Sequence, residues 1–197
     1  MAGDPLKQPR QEVAAAAKAL ADMREAKSLD EFEMEWRTCL NHLEKAWQKT
    51  ERCCQPVRAQ FEPWQGQFRK LRKKDMLLRY LKQARDADNH SVQDVTKLQP
   101  GSRGYKFLNS RGGYIKNMEI RNGEVVHYEG DPMIVEDTPP HPIAVPVKNH
   151  GEWFNPPTSH LGQAIPAPHP SLLAELGIKF YSEYVEQVWE KFFGFDH

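Results

Sequence analysis

Apolar residues at Leu29, Phe32, Trp36, Leu40, Leu43 and Trp47 recur three or four positions apart, so on a helix they form one stripe that has to be buried. Ser28 stands just before this stripe, and Glu31 follows three residues later. Side chains in that arrangement satisfy the free amides at a helix start, so a helix is predicted to begin there. Upstream, residues 11–27 are alanine-rich with charges interspersed, which predicts a first helix of high intrinsic propensity. Pro56, Pro63 and Gly66 interrupt the pattern, so residues 56–66 are expected to be a connection or a broken helix, with a third helical segment from Phe68 through Lys74. Asp75 can cap a fourth helix. Leu77, Leu78, Leu81, Ala84, Asp88, Val92, Val95 and Leu98 recur along it at helical spacing until Pro100-Gly101 stops it.

After Gly101 the pattern changes. Short β-prone runs appear at residues 104–108, 114–121, 124–128, 133–136 and 143–147, and Asn122-Gly123 can supply the positive φ angles of a tight hairpin turn. Nine prolines fall within residues 137–170, which predicts an extended segment laid over a surface. Residues 169–194 read as a terminal helix. Its stripe of Leu173, Leu176, Phe180, Tyr184 and Val188 is broad enough to need cover from the bundle or from another subunit. The pattern therefore predicts an α+β protein: a four-helix bundle over residues 1–100, then over 101–197 a small antiparallel β-meander, a proline-rich segment and a C-terminal packing helix.

Composition narrows this picture. A chain of 197 residues can bury a core without staples, and 27 basic residues balance 27 acidic ones. The beginning "MAGDPLKQPR" lacks the apolar run that a translocation machine reads, and no stretch is apolar enough to cross a bilayer, so a cytoplasmic protein that does not enter the membrane is expected. Cys39, Cys53 and Cys54 lack CxxC spacing and are read as reduced residues on a helix. His127, His141, His150, His160 and His169 match no metal motif, and the sequence calls for no metal or other cofactor. "SRGG" at 110–113 is read as a turn. Trp64, Tyr105, Phe107, Tyr114, Trp153 and Phe154 are of the type that stacks on bases, although aromatics in such positions more often belong to a core.

The neutral total hides a polarised chain. Between Arg69 and Arg85 there are eight basic residues against the single acid Asp75, whereas residues 22–51 hold eight acids against five bases. The basic stretch, with Arg69, Lys73, Lys74, Arg79 and Lys82, can attract a phosphate backbone or can pair with the acidic second helix. It leads directly into "RDADNH" at 85–90. Arg85, the polar Asp86, and His90 after four intervening residues, placed late in a bundle with leucine-rich turns, resemble the motif of the HEPN superfamily; the resemblance covers about residues 10–100.

That resemblance implies a metal-independent endoribonuclease acting on single-stranded RNA, working as a homodimer, with Arg85 and His90 as catalytic residues; relatives without activity act as scaffolds. The residue types suit the chemistry. Histidine transfers protons near neutrality, and a guanidinium can hold phosphate oxygens. On a helix Asp86 and His90, four apart, share a face, whereas Arg85 lies about 140° away from His90. Asp86 is therefore expected to orient His90, with Arg85 reaching the phosphate from the flank or across a dimer axis and Asn89 beside the substrate. Two alternatives stay open: a non-catalytic bundle that binds a protein partner, such as an antitoxin, or a module that binds or transfers a nucleotide.

Overall fold

The computed structural model describes residues 4–90 and 93–194. The fold is α+β: four N-terminal helices, a small antiparallel β-meander of short strands and a C-terminal helix. The chain divides into two compact units, one running to Lys97 and resuming at Pro142, the other spanning Leu98–His141. The expected second half, residues 101–197, is thus divided: from Pro142 onward the chain packs with the helices.

In the helical unit, α1 is Lys7–Glu25, α2 Leu29–Cys53, α3 Arg58–Lys74, α4 Met76–His90 and α5 Pro170–Phe192. The predicted cap of α2 is present. Ser28 Oγ accepts the Glu31 amide at 3.1 Å, while the Glu31 carboxylate accepts the Lys27 amide at 2.8 Å. Phe32, Trp36, Leu40, Leu43 and Trp47 are buried, as their spacing requires. Trp47 stacks on Tyr184 of α5 at 4.8 Å between ring centroids.

The first helix starts at Lys7, four residues before the expected position, and two other helix boundaries differ more. Pro63 and Gly66 lie inside α3, which begins at Arg58 after a single 3-10 turn at Gln55–Val57. Proline there removes one amide donor, a local loss. Burial of Phe61, Gln65 and Phe68 on the α5 side, where Phe68 meets Tyr184 at 5.0 Å and Gln65 donates to the Tyr184 hydroxyl at 2.9 Å, offsets it. The fourth helix was expected to reach Leu98, yet it ends at His90 and is followed by β1 (Thr96–Gln99). Val95 is fully buried but Leu98 is half exposed, so the two do not share a helical stripe. Val92 lies outside the described residues.

The broad stripe of α5 is covered by the same chain, mainly by α1, α2 and α4. Gly177 makes the closest approach possible: a Cβ there would stand 2.6 Å from Leu81 Cδ1 and 3.0 Å from Leu43 Cδ1. From Pro142 onward the proline-rich segment is laid along the bundle. Tyr80 donates its hydroxyl to the Val145 carbonyl at 2.7 Å, and Asp75 accepts from both His160 Nδ1 at 2.9 Å and the Leu161 amide at 2.7 Å. Its short strands are β6 (His141–Ala144), β7 (Val147–Asn149), β8 (Glu152–Phe154), β9 (Ser159–His160) and β10 (Gln163–Ala164). β7 pairs with β8, β9 with β10, and β6 with β1.

The other unit holds β2 (Ser102–Phe107), β3 (Ile115–Arg121), β4 (Glu124–Gly130) and β5 (Met133–Thr138). β3 and β4 form the predicted hairpin, with φ of 52° at Asn122 and 83° at Gly123. β2 pairs antiparallel with β5, matching Tyr105 to Val135 and Phe107 to Met133. No residue of Leu98–His141 is buried.

Candidate functional site

Helical geometry separates the faces of α4 cleanly. Leu77, Leu78, Tyr80, Leu81, Ala84 and Ala87 are buried, whereas Arg79, Lys82, Gln83, Asp86, Asn89 and His90 fall on the opposite side at about 100° per residue. Arg85 lies at the edge between the two, and α2 flanks it there. Its Nε donates to Asn41 Oδ1 at 3.2 Å and its Nη1 to Asp86 Oδ1 at 3.0 Å. Asn89 completes the cluster by donating Nδ2 to the same Asn41 oxygen at 3.2 Å and to the Arg85 carbonyl at 3.0 Å.

Asp86 does not orient His90. Its carboxylate accepts from Lys82 and Arg85, and among the described residues no hydrogen bond joins it to His90. The physical reason is competition: two cationic donors lie within reach, one a helical turn back and one adjacent. Burial pushes the Asp86 carboxyl up, but the hydrogen bonds from Lys82 and Arg85 outweigh it and hold the group below the usual carboxylate range. Asp86 is thus a fixed anion that positions the Arg85 guanidinium. His90, at the end of α4, is exposed.

Beside this cluster runs a second one. Arg37 donates to Asp88 and to Glu33 Oε1, the latter at 2.8 Å, and the same Glu33 oxygen accepts the Val95 amide at 3.3 Å. Burial opposes the charge on Arg37, yet Glu33 and Asp88 together raise its pKa. Asp30, Glu33, Met34, Arg37, Thr38 and Asn41, one face of α2, line a shallow open groove of about 430 Å³.

The remaining basic candidates separate. Arg79 is exposed on α4, its guanidinium 5.8 Å from the ring centre of Phe154, and Lys82 is committed to Asp86. Lys73 and Lys74 are exposed in the last turn of α3. Arg69 instead pairs with Glu51 at 3.0 Å. Arg72 goes further: it is buried against Glu44 and over the Trp47 ring, 4.3 Å from its centre. Pairing with acidic α2 therefore accounts for these two arginines.

Neither Asn41 nor Arg37 is singled out by the sequence, because each is an ordinary polar residue four apart on an acidic helix. Only the fold brings Asn41 to Arg85. Two histidines also find carboxylates: His42 Nδ1 lies 2.5 Å from Glu12 Oε2, whose other oxygen accepts from Lys49, and His160 meets Asp75. Among the described residues no group of three or more His, Cys, Asp or Glu is placed to hold a metal ion. The thiols are not activated, since burial pushes Cys39 and Cys54 up to about 12. Among the described residues no helix is long and apolar enough to cross a membrane.

No protein-family model, curated protein or solved structure matches the chain.

Proposed function

We propose that the polar face of α4 binds single-stranded RNA and cleaves it without a metal, as the HEPN-like motif implies. In this reading the Arg85 guanidinium holds the scissile phosphate and His90 transfers the proton. The RNA's own 2′-hydroxyl attacks the adjacent phosphorus, the bond to the 5′-oxygen breaks, and the products are a 2′,3′-cyclic phosphate and a free 5′-hydroxyl. One proton leaves the 2′-oxygen and one reaches the 5′-oxygen, and an imidazole serves either transfer.

The observation that carries this reading is the support of Arg85. Asn41 and Asp86 fix its Nε and Nη1, and the side chain retains 24% exposure. A guanidinium fixed at Nε and Nη1, with its Nη2 donors left over for phosphate oxygens, is prepared for them without reorganisation. His90 lies about 140° around the helix, so one chain presents the two groups on different flanks. A second copy, facing the first across a two-fold axis, supplies the complementary flank. Cleavage by wild type and by Lys97→Ala, with loss in Arg85→Ala and His90→Ala, supports the assignment; equal activity in all four sinks it.

A second reading is favoured by the β unit. Ile120, Val126, Ile134 and Val135 are each at least half exposed, and a pair of two-stranded ladders without buried residues is marginal by itself. Residues Leu98–His141 then bind a protein partner, and the bundle is a scaffold. Absence of any salt-sensitive RNA affinity in the intact chain favours this reading over the nuclease.

A further inference from the structure

The most exposed tryptophan side chain of the helical unit lies next to α4 and is unexplained by packing. Trp153 is 63% exposed on the β7–β8 hairpin. The register pairs Lys148 with Trp153, Val147 with Phe154 and Asn149 with Glu152, so Lys148 and Trp153 share one face of the ladder. The opposite face holds the buried Val147 and Asn149. A tight turn closes the hairpin, with φ of 48° at His150 and 84° at Gly151.

The hairpin is fixed to the unit by the buried Val147, by Phe154 and by polar contacts, not by the indole. Asn149 Nδ2 donates to Gln83 Oε1 of α4 at 2.8 Å, while Gln93 bonds both the amide and the carbonyl of Lys148 at 2.8 Å each. Gln83 lies on the exposed stripe of α4 between Arg79 and His90, a stripe about 16 Å long. Asn41 of α2 borders α4 on one side, and the hairpin borders it on the other.

A cation accompanies the ring: Lys148 Nζ is 5.9 Å from the centre of the Trp153 ring. The acid Glu152 and the Phe154 ring, which Arg79 approaches at 5.8 Å, belong to the other face of the ladder. An aromatic face held by a short ladder, with a cation beside it, fits a base whose flanking phosphate needs positive charge.

We infer that Trp153 is a base-stacking platform for single-stranded RNA, with Lys148 beside the ring holding a phosphate that flanks the stacked nucleotide. This rests on the proposed binding of RNA along α4 and adds to it the element that holds the strand beside the cleavage site. Trp153 is a binding residue and takes no part in proton transfer.

The test uses the full chain and a short single-stranded 2′-O-methyl oligouridine, which lacks the attacking hydroxyl and stays intact. Trp153→Ala is expected to weaken binding at least about fivefold, Trp153→Phe to keep most of the affinity, and Lys148→Ala to reduce its salt dependence. Binding should quench the tryptophan emission of wild type, and this quench should be absent in Trp153→Phe. Unchanged thermal midpoints confirm that the variants fold. If Arg85→Ala loses affinity while Trp153→Ala binds as wild type does, the platform is overturned and the α4 reading stands. If affinity depends on Trp153 but no protein cleaves RNA, the platform stands and the nuclease falls. If wild type binds an acidic peptide and not the oligonucleotide, the platform is overturned.

Discussion

Arg85 and Asp86 are neighbours in the chain and partners in space, the Arg85 Nη1 donating to Asp86 Oδ1 at 3.0 Å. Adjacent residues on a helix point about 100° apart, so this contact bends the guanidinium along the helix surface, while Asn41 of α2 holds its Nε. Replacing Asp86 should therefore leave RNA affinity nearly intact but misplace Arg85. Asp86→Ala is expected to lower the single-turnover cleavage rate about 10- to 100-fold, the scale of small misplacements of catalytic groups. A rate equal to wild type shows that Arg85 needs no such support.

The buried pair of Arg72 and Glu44 makes a second test. Burial works against the Arg72 charge, but Tyr181 and Glu44 overcome it and raise its pKa. Removing one member leaves the other uncompensated, so Glu44→Leu should cost about 3–5 kcal/mol in chemical denaturation. Arg72→Met combined with Glu44→Leu should recover part of that loss. A double variant as unstable as the sum of the singles argues against direct coupling.

Asp75 caps α4, accepting the Leu78 amide at 3.0 Å, and also receives His160 and the Leu161 amide. Burial pushes its carboxyl up, yet these three donors hold it below its ordinary value of 3.8. A depressed carboxylate contributes stability above its unfolded pKa and loses it as pH falls through the folded one. Asp75→Asn should be about 1–2 kcal/mol less stable than wild type at neutral pH. Denaturant titrations repeated below about pH 4 should show the difference narrowing; a constant gap removes the carboxylate from the explanation.

Gly177 is needed for close contact, not for its φ angle. Alanine gains about 1 kcal/mol of helix propensity but forces Leu81 and Leu43 to shift, which costs about 1–3 kcal/mol. Gly177→Ala should thus lower the melting temperature. A rise shows that these leucines move aside freely.

The fold was legible where local pattern and tertiary packing agree. The α2 stripe, the Ser28 cap and the Asn122-Gly123 turn each depend on residues within a few positions, and each appears as expected. The first half of α3 was not legible because Pro63 and Gly66 argue locally against a helix, while the contacts that hold it come from Tyr184 and Phe192, far along the chain. The end of α4 misled for another reason. Val95 and Leu98 fit a helical period by count, and only the fold shows Val95 buried at the entry to β1 and Leu98 exposed. At the candidate site, Arg85, Asp86 and His90 stood out in the sequence, but helical spacing assigned Asp86 to His90, whereas it holds Arg85. That choice is decided by Lys82 and Arg85 as competing donors, and Asn41 enters from another helix.

The proposal that the α4 face cleaves RNA is tested most directly by product chemistry. A labelled single-stranded RNA is incubated with wild type, Arg85→Ala and His90→Ala in excess chelator, and the new ends are identified. Wild type is expected to generate 2′,3′-cyclic phosphate and 5′-hydroxyl ends that neither variant makes. Intact RNA with wild type, or the same ends at the same rate from His90→Ala, overturns the assignment.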